Sequence, residues 1–278
     1  MKYLIVKAWM GFGDRLQGLK MCVKYAQEHK RAILVDWSDS VFSHSGESFY
    51  TYFDLKMPTF KMKDLDSSMS VYPEYWKGKL DTTLTAEMMY PELNIGYLTK
   101  DYKEDIVVYC CVGNRLLYPE STFFTSVFRV IHPDIISAVH ARQRQYQLFN
   151  KIGVHLRGTD RTIKINKLDR FRGIRLRMSN LGSLSGQKFI AITDDETFAR
   201  MWKSNFNFPL LTEIIPGGSI GNHNISSESL QISKHKLNID MIVDFFTLAS
   251  CKDILSTCKD SRFAQEARRL HSGITEIL

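Results

Sequence analysis

Short apolar runs that stop abruptly at glycine or charge, most of them leading into a helical pattern, recur along this 278-residue chain and constrain its fold more than any other feature. "KYLIVKAW" runs into "GFGDRLQGL", "KIGVHL" into "RGTDR", "KFIAIT" into "DDET" and "DILST" into "CKDSRF". Runs this short and this continuously apolar mark strands covered on both faces, as in a parallel sheet, and parallel strands need helical crossovers. The chain is therefore read as α/β.

The first unit of the pattern is a strand over 2–8, a glycine loop, a helix over 15–29 and a strand over 32–37. In that helix Leu16, Leu19, Val23 and Ala26 fall at three- and four-residue spacing, one stripe to lay on a sheet. Residues 38–104 are irregular, rich in Tyr, Phe and Met and interrupted by Pro58, Pro73 and Pro91, and yield no assignment. Order returns with the strand "DIVVYCC" (105–111) and a helix from Pro133. Strands at 151–156 and 188–193, a helix after 194, a helix over 239–250, a strand over 253–257 and a last helix from Ser261 make a second half. Two such halves, meeting after the polar run 142–150, predict two Rossmann-like domains, 1–148 and 149–278, facing across a cleft.

With 44% apolar residues the chain can bury a sizeable core, and no apolar run approaches the ~18 residues of a membrane span. Five cysteines without a C-x-x-C pair suggest neither a disulfide framework nor a zinc site. A soluble, cytoplasmic protein with no transmembrane segment is expected, as a bacterial or viral-type enzyme would be. The net charge of +7 favours an anionic partner. Nucleic acid is not expected: the densest basic segment, "RGTDRTIKINKLDRFRGIRLR" (157–177), has Phe171 as its sole aromatic, and sequence-tolerant grooves interleave stacking rings with charge.

The glycine loop falls short of a dinucleotide fingerprint. Asp36 fits the acidic place, but Leu16 stands where the third glycine belongs. The loop is then a plain tight turn, a degraded nicotinamide site, or a cleft wall with Asp14 and Arg15 towards a substrate. "IGVHLRGTDR" (152–161) is more specific: alternation puts His155 and Arg157 on one side where the strand leaves the sheet, the place of the ligand crevice in open α/β sheets. Arginine there offers a planar fork matched to phosphate, although pairing of Arg157 with Asp160 on a solvated turn is the bland alternative. "AITDD" ends another strand in Asp194 and Asp195. Asp240 and Asp244 stand one turn apart, and Ser261 can cap a helix whose first N–H groups would accept phosphate. "DLD" (64–66) has a metal–nucleotide form but follows no apolar strand, so no metal site is assigned; "NIS" (224–226) would be glycosylated only in a secretory compartment.

"GVHLRGTD" resembles the H-x-R-x-T-D motif of GDP-fucose-dependent transferases, the superfamily of α1,6-fucosyltransferases, the nodulation fucosyltransferase and, more distantly, protein O-fucosyltransferases. "AITDD", "DFFTLASCKDILSTCKDSRFAQEA" and "GFGDRLQGL" resemble its other motifs, in the same order. The resemblance implies a GT-B architecture, an acceptor-side first domain and a second domain holding GDP-fucose. It implies inverting transfer of fucose to a glycan or glycoconjugate acceptor, with no cofactor and no essential metal. Arg157 would bind the β-phosphate, with His155 and Asp160 in support. Asp194 and Asp195 would order the site, Asp244 would accept from guanine, and Ser261, with Arg262 and Phe263 beside it, would meet the diphosphate; Gly11, Gly13 and Arg15 would approach the donor. Gly158 stands where several relatives carry a second arginine, which leaves Arg161 or the 170–177 segment to supply that cation. No glutamate follows the motif, so Asp14, then Asp160, are the candidates for general base. The rivals are a transferase of the same fold using another nucleotide sugar, and a non-catalytic glycan- or nucleotide-binding protein.

Overall fold

In the computed structural model the described residues are 1–9, 11–39, 42–43, 46–84, 98, 100–111, 122–158, 166–181, 188–215 and 232–278. They divide into two units, Met1–His132 with Thr275–Leu278, and Pro133–Ile274. The boundary thus precedes the expected 148/149, and the last residues join the first unit. The reason is the helix Pro133–Tyr146, whose apolar stripe of Ile135 and Val139 is buried and whose Arg142, the start of the polar run 142–150, is buried with it.

The first unit begins with β1 (Lys2–Ala8), α1 (Phe12–Glu28) and β2 (Arg31–Asp36). It continues through α2 (Phe49–Tyr52), β3 (Phe53–Leu55), β4 (Val71–Tyr72), β5 (Ile106–Cys111), α3 (Thr122–Val127) and β6 (Phe128–Val130). Its main sheet runs β2-β1-β5-β4, all parallel, and β3 pairs antiparallel with β6. Helix α1 starts at Phe12, not at 15, because extended Gly11 serves as its N-cap; Gly13, Asp14 and Arg15 are helical. The unreadable stretch after 38 supplies an aromatic cluster around Trp37, with Phe42, Phe49 and Phe53 at edge-on or near edge-on angles to its ring.

Arg15 is locked within that cluster. Its Nη1 and Nη2 donate to Asp39 at 2.7 and 2.6 Å, and its guanidinium lies over the rings of Trp37 and Phe42. Both charged side chains are 1% exposed. A bidentate pair so placed is an element of the core. Asp36, the residue that fitted a ribose-binding acid, pairs with buried Lys7 and accepts from the Ser38 hydroxyl.

The second unit holds α4 (Pro133–Tyr146), β7 (Ile152–Leu156), α5 (Lys167–Asn180), β8 (Phe189–Thr193), α6 (Glu196–Asn205), α7 (Lys234–Ala249), β9 (Asp253–Ser256) and α8 (Arg262–Leu270), before the closing turn α9 (Ile274–Ile277). Its parallel sheet runs β8-β7-β9, with Leu210 bridging to Ala191 beyond β8. The basic segment over 170–177 is part of α5. Phe171, Ile174 and Met178 form its apolar stripe and pack with Phe198 and Trp202 of α6, while the charges turn outward. Helix α7 begins at Lys234, a turn before the expected 239, because Ser233 accepts from the Lys236 N–H. Among the described residues no helix is long and apolar enough to cross a membrane.

Removing one partner of a buried ion pair strands the other, at about 3–5 kcal/mol. Arg15→Ala should therefore lower unfolding free energy by that order in urea denaturation, and Arg15→Met combined with Asp39→Leu should recover most of it. A full loss in the double variant would show that the pair does more than fill the core.

Candidate functional site

The carboxyl ends of β7, β8 and β9 bring together most of the residues singled out in the second half. Strand register sets His155 beside Ser256 and Leu156 beside Thr193, so the residues that follow each strand emerge on one edge. Arg157, one step past β7, pairs through Nη1 with Asp194 Oδ2, and the backbone N–H of Gly158 donates to Asp194 Oδ1 at 2.8 Å. On the other flank the Arg157 N–H donates to Thr257 Oγ1 at 2.8 Å. Asp160 lies outside the described residues, and so does its pairing with Arg157; among the described residues the partner of the Arg157 guanidinium is Asp194.

Gly158 is required by packing. A Cβ there would lie 2.3 Å from Cβ of Asp195 and 2.4 Å from its Cγ, so the chain can pass this strand end only without a side chain. Asp195 is held from two further sides. Its Oδ1 accepts from the Phe198 N–H as the N-cap of α6, and its Oδ2 pairs with Lys167 at the start of α5. Thr193 completes this corner, its hydroxyl donating to the Leu156 carbonyl at 2.8 Å.

His155 is 4% exposed, with its ring stacked on Phe263 and Nδ1 within 3.3 Å of Ser256 Oγ and 3.4 Å of Ser261 Oγ. Burial pushes its pKa down to about 4; Asp194 opposes the shift and Arg157 adds to it. The imidazole is thus neutral at physiological pH and serves as a fixed, uncharged support. Ser261 caps α8 as expected, its Oγ accepting from the Ala264 N–H. Arg262 and Phe263 form the first turn, where N–H groups have no intrahelical acceptor and the helix dipole favours an anion.

Asp244 is held from two sides. Both its oxygens are engaged, Oδ1 by Arg142 at 2.8 Å and Oδ2 by the Thr212 hydroxyl, and Arg142 also donates to the Leu211 carbonyl at 2.7 Å. Its neighbour Asp240 accepts from the Ile214 N–H, and burial together with the Asp244 charge raises its pKa to about 7. This pair fastens α4 and α7 to the chain after β8. Asp14 sits in the first turn of α1 and is half-buried. Gly11 caps that helix, and a Cβ there would only reach ordinary contact with Asp14 Oδ2, at 4.0 Å.

The residues missed in the sequence are Lys167, Arg142, Thr257 and Ser256. The last two follow the rule that exposed Arg157, since they too end a buried strand; the first two carry no local signal. Among the described residues no group of three or more His, Cys, Asp or Glu is placed to hold a metal ion.

The site makes a prediction about acid. With a folded pKa of about 4 against the ordinary 6.5, His155 binds its proton in the unfolded state first, so stability falls as pH drops from 6.5 to 4. This amounts to about 3 kcal/mol at most. In denaturant titrations across that window, His155→Gln should show a shallower loss than the parent chain; an equal slope would place the imidazole in contact with water.

No family model matches the sequence, nor does any curated protein. Solved structures do match. The fucosyltransferase NodZ from Bradyrhizobium superposes with a TM-score of 0.69 at 16% identity, covering 96% of this chain and 92% of that one. NodZ α-1,6-fucosyltransferase soaked with GDP-fucose gives 0.69 at 17% identity with the same coverage. A mutant of Arabidopsis thaliana FUT1 in complex with GDP gives 0.54 at 15%, covering 97% of this chain and 68% of that one. At these identities the likeness is one of fold: this chain is an α/β protein built on the GT-B plan of the NodZ-type fucosyltransferases.

Proposed function

We propose that this protein is an inverting, metal-independent fucosyltransferase of the cytoplasm, moving L-fucose from GDP-fucose to a hydroxyl of a glycan acceptor. The observation that carries the reading is the preorganised cation and helix start at one sheet edge, Arg157 on its Asp194 clasp beside the Ser261-capped α8. It occurs on a fold shared with structures crystallised or soaked with GDP and GDP-fucose.

The chemistry needs those groups. When the bond between the sugar C1 and the β-phosphate oxygen breaks, the electron pair leaves with GDP and positive charge develops on the sugar. Fixed donors aimed at the departing oxygen lower that barrier without reorganising. Arg157 takes the β-phosphate, its fork directed by Asp194 and Gly158. The first-turn N–H groups of Arg262 and Phe263 face the diphosphate, with Ser261 shaping that turn. His155 braces the turn from beneath. Asp195 orders the edge by capping α6. Asp244, engaged by Arg142 and Thr212, fixes α7. The acceptor oxygen attacks C1 from the opposite face, inverting it, and its proton passes to a carboxylate; Asp14 is the residue we assign to this step.

Incubation with a panel of nucleotide sugars in EDTA tests the proposal. Release of GDP from GDP-fucose, and transfer to a glycan acceptor, should persist without metal. Turnover of UDP- or ADP-sugars with GDP-fucose inert would overturn it. Arg157→Ala should lower kcat by ~100- to 1,000-fold. Arg157→Lys keeps a charge beside Asp194 but loses the fork, and should remain strongly impaired.

A further inference from the structure

Among the described residues the same sheet edge holds more cations than its two carboxylates, Asp194 and Asp195, pair with. Asp194 takes Arg157, and Asp195 takes Lys167. Arg170, one turn into α5, meets a different partner: its Nη1 donates to the backbone carbonyl of Thr257 at 3.3 Å. Among the described residues no carboxylate pairs with it, since Asp169 is taken by Arg172. It is only partly buried, so its guanidinium keeps a route to solvent and to anything bound at the edge.

Thr257 ties this arginine to the site. Its Oγ1 receives the Arg157 N–H at 2.8 Å while its carbonyl receives Arg170, so one residue at the end of β9 anchors both. Position 158 cannot provide a second cation next to Arg157, because Asp195 occupies the space a side chain there would need. A nucleoside diphosphate carries more charge than one guanidinium shared with Asp194 can offset. The neighbouring helix is where another cation enters.

We propose that Arg170 is a second diphosphate-binding residue, reaching the phosphates from α5 while Arg157 holds them from β7. This rests on the reading of the site as a GDP-sugar site. A guanidinium offers five N–H donors, of which the Thr257 carbonyl takes one, so the same side chain can hold the backbone and a phosphate oxygen together. The contact is charge-assisted and sequence-distant from the β7 motif, and it uses the arginine segment that nucleic-acid binding left unexplained.

Calorimetric titration with GDP and with guanosine tests this. Arg170→Gln, which can still donate to a carbonyl, should weaken GDP by about 10- to 100-fold and leave guanosine unchanged. Arg170→Lys should keep most GDP affinity, and Arg172→Gln, altering the exposed arginine that pairs with Asp169, should keep all of it. An Arg170→Gln protein that binds GDP like the parent chain overturns the proposal. So does an equal loss for GDP and guanosine, which would make Arg170 a prop for Thr257. If the parent chain itself does not bind GDP, it is the proposed function that fails.

Discussion

The clasp between Arg157 and Asp194 organises the second unit's functional edge. It spans two adjacent strand ends, and the Gly158 N–H closes it on the second carboxylate oxygen. Holding the loop this close to β8 excludes any side chain at 158, and it brings Asp195 to where one oxygen caps α6 and the other meets Lys167. The direction of the Arg157 fork is thereby set by strand register and not by loop flexibility. A site that must meet developing charge gains most when its donors are fixed before the reaction begins.

The acidic residues of this chain divide into roles that composition conceals. Asp194 aims a cation, Asp195 starts a helix, Asp244 and Asp240 fasten α4 and α7, and Asp39 neutralises Arg15 in the first unit. Each is buried or partly buried and each has a structural donor, so the carboxylates shape the site more than they contact a ligand. His155 fits the same economy. Kept neutral by burial, it supports the α8 start without adding charge beneath the phosphate position.

Local signals were readable. The strands at β1, β2, β5, β7, β8 and β9 and the cap at Ser261 follow from apolar runs ending in polar residues, because burial and capping act over a few residues. Pairings across the fold were not. Asp39 lies 24 residues from Arg15, Asp195 lies 28 from Lys167 and Asp244 lies 102 from Arg142, distances over which no periodicity operates. Helix α5 was obscured by its arginines, whose charge outweighs the three buried positions Phe171, Ile174 and Met178. Residues 38–104 stayed unread because β3 and β4 have only three and two residues, too short for alternation to register, and the core there is built from aromatic contacts.

A crystal structure of the protein with GDP tests the central claim most directly. The account predicts the diphosphate at the carboxyl edge of β7, with phosphate oxygens within hydrogen-bond distance of the Arg157 guanidinium and of the first N–H groups of α8. A diphosphate bound at Gly11–Gly13 instead, with Arg157 still turned only to Asp194, would contradict it.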